Sequence, residues 1–142
     1  MELTPKEKGN LTELQCMTAF AEQGLKVSIP YGENCRYDFI IDIGGKLLKI
    51  QCKTSHLIAS KDGFEFKCYS TNSTRKGVFE SRYTEDEIDY FATYFNGNCY
   101  LVPVKNCGNA KILRFNYPRN GQKKGISLAE THTLEEVIKQ YK

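Results

Sequence analysis

The sequence predicts a mixed α/β (α+β) domain in which a central mixed β-sheet is flanked by an N-terminal and a C-terminal helix, all in a single domain over residues 1–142. Three observations lead there. Helical periodicity is confined to the two ends of the chain, while the residues between them alternate apolar and polar as strands do. Two pairs of turn residues, Gly44-Gly45 and Asn96-Gly97, each join two such alternating runs. A block of strands bounded by helices buries its apolar faces as one sheet with the helices packed against it.

The first helix is expected from Leu11 to Gly24, with Asn10 or Thr12 as N-cap and Gly24 ending it. "LKVSIP" then reads as a strand and "YGENC" as a loop. Tyr37 to Ile43 and Lys46 to Thr54 form a hairpin across the glycine pair, whose two residues suit a turn needing positive φ. "GFEFKCYS" is a further strand. After a polar stretch, "DYFATYF" and "NCYLVPV" make a second hairpin, and "AKILRFN" is one more short strand. "THTLEEVIKQYK" closes the chain as a helix, with the capping-box spacing from Thr133 to Glu136.

Composition narrows the function classes. With 142 residues, 40% hydrophobic and 12% aromatic, the chain has enough apolar material for one core. Its charged first residues lack the apolar stretch of a secretory signal, and no run approaches the roughly 20 apolar residues of a membrane span. A cytoplasmic protein with no membrane partner is therefore expected. The six cysteines are dispersed, without a C-x-x-C pair and with only His56 and His132 as companions, which argues against a disulfide scaffold and a structural zinc.

The Gly44-Gly45 turn sets Asp38 opposite Gln51, Ile40 opposite Lys49 and Asp42 opposite Leu47. Because side chains alternate faces, Phe39, Ile41, Ile43, Leu48, Ile50 and Cys52 share one apolar face, expected in the core. The other face collects Asp38, Asp42, Lys49, Gln51 and Lys53, with Asp38 and Gln51 about 5 Å apart at Cβ. An ordinary amphipathic hairpin would also place polar residues there. The helix adds a sharper signal: at about 100° per residue, Glu13 falls at the centre of the stripe formed by Cys16, Met17, Phe20, Ala21 and Gly24, while Thr12 falls on the other face. An inward carboxylate needs a partner. Arg36 or Lys53 could serve as a salt bridge, or Glu13, Asp38 and Gln51 could surround one hard cation such as Mg²⁺.

Together "KGNLTELQCMTAFAEQGLKVSIP", "RYDFIID", "KIQCKT", "EIDYFATYF" and "CYLVPV" resemble the PD-(D/E)XK, or restriction-endonuclease-like, superfamily, and in particular its small Q-x-K branch containing an intron-encoded homing endonuclease. "Q-C-K" at Gln51 to Lys53 carries that signature, with an amide where the wider superfamily has an acid and Tyr37 where it has proline. The resemblance implies a metal-dependent DNA endonuclease using Mg²⁺, or Mn²⁺ in its place. Asp38, Gln51 and the backbone carbonyl of Cys52 would be the protein's metal ligands, with Glu13 joining them directly or through water. Lys53 would sit beside the attacking water. Such an ion polarises the phosphoryl oxygen and acidifies a water.

Double-stranded DNA is the implied partner, and two strands to cut imply a homodimer or higher homo-oligomer. The net charge of +3 is modest, but Arg75, Lys76, Arg82, Arg119, Lys123 and Lys124 fall in loop-like segments and, with Arg36, are candidates for phosphate contact; ordinary solvated loops would look the same. Tyr31 and Asn34 are weaker candidates. His56 is expected to be structural or exposed, and Asp89 to make a buried structural hydrogen bond. A structure-specific nuclease such as a Holliday-junction resolvase, and a non-catalytic DNA-binding or assembly protein retaining the fold, are the competing readings.

Overall fold

A computed structural model describes residues 1–142. Its elements in order are α1 (Pro5–Glu22), β1 (Lys26–Ser28), β2 (Phe39–Ile43), β3 (Lys46–Cys52), β4 (His56–Leu57), β5 (Gly63–Lys67), β6 (Tyr69–Thr74), β7 (Gly77–Arg82), β8 (Tyr90–Phe95), β9 (Asn98–Pro103), β10 (Ala110–Arg114) and α2 (Leu134–Lys139), with 3-10 turns at Val104–Asn106 and Ala129–Thr131.

The main sheet runs β1-β2-β3-β8-β9. Only β3 and β8 are parallel; the other neighbours are antiparallel, so the sheet is mixed, as the sequence predicts. The β2–β3 register is the one the glycine pair dictates, with Ile40 opposite Lys49 and Asp42 opposite Leu47. Gly44 and Gly45 have φ of 59° and 86°, which ordinary residues adopt with strain. Gly44 is doubly constrained, since a Cβ there would come 2.6 Å from the Tyr141 carbonyl oxygen. Asn96 and Gly97 likewise turn at positive φ between β8 and β9.

The face of β2 and β3 predicted to be apolar is buried throughout, and it packs with Cys16 and Phe20 of α1 and with Leu134, Val137 and Ile138 of α2 in one cluster. Both helices therefore lie on the same face of the sheet. The opposite face of β8 and β9 is covered by a second sheet, β10-β5-β4, through Phe64, Phe66, Phe91, Val102 and Leu113. Phe91 and Ala92, adjacent on β8, thus serve different cores, as the strand period requires.

Three expectations change. The first helix begins at Pro5, six residues before Leu11: the Thr4 hydroxyl accepts the Glu7 N–H and the Glu7 carboxylate accepts the Thr4 N–H, a complete capping box with proline at the first position. That cap outweighs the helix-weakening Gly9. Its buried stripe runs through Thr12, Cys16 and Phe20, so Thr12 faces inward and Glu13 sits on the flank of the stripe, half-buried. The burial of Thr12 is tolerated because its hydroxyl bonds the Lys8 carbonyl and the Thr54 hydroxyl, at 3.0 and 3.1 Å. Finally, the strand expected over residues 63–70 divides at Cys68, and the polar stretch after it is no loop: β6 and β7 form a two-stranded ribbon separate from both sheets, with Arg75 and Lys76 at its tip. No helix is long and apolar enough to cross a membrane.

Candidate active site

At one end of the β2–β3 hairpin, beside the second and third turns of α1, lies a cleft of about 180 Å³ lined by Gly9, Asn10, Thr12, Glu13, Asp38, Gln51, Cys52 and Thr54. The sequence-predicted Glu13, Asp38, Gln51 and Cys52 converge there. Asp38 immediately precedes β2 and extends its pairing, donating its N–H to the Ile50 carbonyl at 2.7 Å. Its Oδ2 accepts the Cys52 N–H at 2.9 Å, which fixes the carboxyl relative to β3. The Gln51 amide donates to the Cys52 carbonyl at 3.4 Å.

The electrostatics of the two acids are coupled. Burial, then the charge of Asp38 and a hydrogen bond shared with it, push the Glu13 carboxyl above its ordinary value. Burial also pushes Asp38 up, against the opposing effect of the Cys52 N–H, Lys53 and Glu13. Neither Arg36 nor Lys53 pairs with Glu13: no salt bridge reaches it. Two half-buried, adjacent carboxyls, neither of them in a salt bridge, together with an amide and a backbone carbonyl, are a donor set of hard oxygens suited to a divalent ion that keeps some of its waters. No group of three or more His, Cys, Asp or Glu side chains is arranged to hold a metal ion, so any ion here would depend on the Gln51 amide, a backbone carbonyl and water as well as the two acids.

Lys53 does not line the cleft. Half-buried, it donates Nζ to the Tyr69 carbonyl at 3.0 Å and lies 5.1 Å from the Tyr83 ring centroid. Burial lowers its pKa, while Asp38 acts in the opposite sense. Arg36 is held at the root of the ribbon: Nε meets Glu87 at 3.0 Å, Nη1 donates to the Ser70 hydroxyl at 2.8 Å, Nη2 donates to the Arg82 carbonyl at 2.8 Å, and the guanidinium stacks 3.9 Å from the Tyr83 ring centroid. Tyr83 thus lies against both cations. Its part in fixing Lys53, like that of the Tyr69 carbonyl, has no sequence signature; neither does the lining of the cleft by Asn10 and Thr54.

The remaining candidates are dispersed. Arg75 and Lys76 are exposed at the ribbon tip, and Arg82 at its root bonds the Asn109 side chain at 2.9 Å. Arg119, Lys123 and Lys124 are exposed beyond β10, with Lys123 over the Tyr117 ring. Tyr31 and Asn34 are exposed in the loop before Asp38. His56 is exposed and 3.5 Å from Glu65, its neighbour across β4 and β5. Asp89 links β3 to β8, its carboxylate accepting the Lys49 N–H at 2.8 Å and its own N–H donating to the Lys49 carbonyl at 2.9 Å, a structural role as expected. A second concavity, about 650 Å³ around Lys61, Asp62, Arg114 and Arg119, shares no lining residue with the carboxyl cleft and holds an Arg114–Asp62 ion pair.

The sequence model of the PD-(D/E)XK endonuclease family matches residues 3–135. The chain belongs to the PD-(D/E)XK endonuclease family. Its cleft residues all fall within the matched span. Among solved structures, that of a bacterial homing endonuclease, I-Ssp6803I, is similar with a TM-score of 0.75 and 20% identity over 95% of this chain and 93% of that one. At that identity the likeness concerns the fold: the PD-(D/E)XK core with its mixed sheet and terminal helices. No curated protein matches the sequence.

Proposed function

We propose that this PD-(D/E)XK chain is a divalent-metal-dependent DNA endonuclease that hydrolyses phosphodiester bonds. The observation that supports the reading best is the meeting of Glu13, Asp38 and Gln51 in one cleft in which neither acid is in a salt bridge. Asp38, Gln51, the Cys52 carbonyl and Glu13 would hold Mg²⁺ or Mn²⁺, which supplies Lewis acidity toward the phosphoryl oxygen. The chain's own contribution is orientation and charge. The Cys52 N–H and the Ile50 carbonyl hold Asp38 in place. Lys53, held by the Tyr69 carbonyl and influenced by the charge of Asp38, would present a positive group near the reacting phosphate, where negative charge grows in the transition state. Its depressed pKa also lowers the barrier to giving and taking a proton at Nζ. Because one chain carries one cleft, cutting both strands calls for a homodimer or a sequence of two nicks.

Plasmid nicking by the wild type in Mg²⁺ or Mn²⁺, blocked by EDTA, tests the reading. Asp38→Ala should reduce the rate by at least about 10² to 10³, as loss of a preorganised electrostatic contact does, while leaving DNA binding measurable. Wild-type cleavage by Asp38→Ala would remove the assignment. Comparing linear duplex with four-way junctions separates a sequence-reading enzyme from a junction resolvase.

A further inference from the structure

The ribbon of β6 and β7 has no core of its own. It pairs with no other strand, and residues 71–80 are exposed on both faces. An isolated two-stranded ribbon is marginal in water. Its order comes from its ends: Arg36 ties Ser70 to the Arg82 carbonyl at the root, and at the tip the Thr74 hydroxyl donates to the Gly77 carbonyl and accepts the Lys76 N–H, both at 3.2 Å. It displays Val78 at 66% and Phe79 at 52% exposure, on opposite faces of the ribbon.

Cross-strand register sorts the side chains. Thr71 with Glu80 and Ser73 with Val78 share one face; Asn72 with Phe79 and Thr74 with Gly77 share the other, the face of Ser70, whose hydroxyl meets Arg36. Glu80 is therefore turned away from Asn72 and Phe79. Arg75 and Lys76 at the tip make no ion pair.

We propose that this ribbon enters the major groove of duplex DNA and that Asn72 and Phe79 read an A·T base pair there. The inference rests on the nuclease reading and deepens it. A major groove about 12 Å wide and about 8.5 Å deep admits a two-stranded ribbon. Each strand of six residues spans about 20 Å, long enough for the tip to lie in the groove while the root stays with Lys53 through the Tyr69 carbonyl. An asparagine amide matches adenine N6 and N7, and a phenyl ring matches the thymine methyl group. Directly opposite each other, at about 5 Å between Cβ atoms, the two side chains span the dimensions of one pair. Arg75 and Lys76 supply charge complementary to the flanking phosphates.

The test uses the full chain in EDTA buffer, first selecting from a pool of random-sequence duplexes. The bound fraction should show an enriched A·T position. On the enriched duplex, replacing thymine there by uracil removes only the methyl group, and replacing adenine by 7-deazaadenine removes only N7. Each should weaken wild-type binding several-fold; uracil should leave Phe79→Ala unaffected and 7-deazaadenine should leave Asn72→Ala unaffected. The Arg75→Ala, Lys76→Ala double variant should reduce the slope of log affinity against log salt by about 2. Because the analogues act on the wild type itself, the outcome does not depend on how the variants fold. The inference is overturned if the wild type ignores both analogues, if it binds no duplex, or if sedimentation shows that Phe79→Ala dissociates an oligomer at unchanged DNA affinity, which would give the ribbon a second copy as its occupant. Cleavage of the same duplex in Mg²⁺ keeps the two readings apart: cutting with analogue-insensitive binding removes the ribbon inference alone, and base-selective binding without cutting removes the nuclease reading alone.

Discussion

Glu13 and Asp38 work against the fold that holds them. Both carboxyls are raised, chiefly by burial, and Glu13 also by the charge of Asp38, so the protein's own structure disfavours the charged pair that a cation needs. Replacing one acid by its amide should relieve that repulsion. In metal-free buffer at neutral pH, Glu13→Gln is expected to melt a few degrees above the wild type, measured by circular dichroism, while losing activity. Adding Mg²⁺ should then raise the wild-type melting temperature more than that of the variant, because stabilisation by a ligand grows with its affinity for the native state. Gln51 bears on the same balance. An amide supplies an oxygen without a charge, so Gln51→Glu should lower the Mg²⁺ concentration for half-maximal cleavage roughly tenfold, about 1.4 kcal/mol, and should destabilise the metal-free protein. An unchanged Mg²⁺ dependence would take Gln51 out of the ligand set.

Elements with a buried face were legible in the sequence because burial imprints a period on it. The β2–β3 hairpin was readable to the register, since one face had to be apolar and a turn at positive φ had to carry glycine. Through that register the cleft was readable too: Asp38 and Gln51 converge because hairpin geometry allows little else. The β6–β7 ribbon was not readable as strands, because residues 71–80 are exposed on both faces and carry no alternation. The start of α1 was missed for a related reason: its first turns touch little of the core, and the signal there was the Thr4–Glu7 box rather than periodicity. Thr4→Ala should accordingly cost about 1 kcal/mol, or about 3 °C in melting temperature. Arg36 is where element structure meets chemistry. Arg36→Ala removes the bonds to Glu87, Ser70 and the Arg82 carbonyl and unstacks Tyr83, releasing the ribbon root that supplies Lys53 with the Tyr69 carbonyl. The expected result is a fall in single-turnover cleavage rate with an unchanged Mg²⁺ requirement, since no atom of the cleft lining is altered.

At the scale of the whole molecule, the two cores meet at β8 and β9, and the chain between β10 and α2 ties them together. His132 stands in that connection. Its carbonyl accepts the Leu101 N–H at 2.9 Å, and its Nδ1 lies 3.1 Å from the Leu128 carbonyl oxygen and 2.9 Å from the Thr131 hydroxyl. Burial lowers the His132 pKa, the Leu128 carbonyl opposes that shift, and Lys111 adds to it. The sign follows from which state takes the proton first. As pH falls through the ordinary value of 6.5, the unfolded chain is protonated before the folded one, so stability present above that value is lost between 6.5 and the lower native pKa. The raised carboxyls of Glu13 and Asp38 act oppositely: the native state takes up their protons first, and stability is regained as pH falls through their native values. In urea unfolding of the metal-free protein at constant m-value, the stability advantage of the wild type over His132→Asn should therefore shrink as pH falls through 6.5. A difference between wild type and variant that does not change with pH would mean that the His132 proton is held equally in both states.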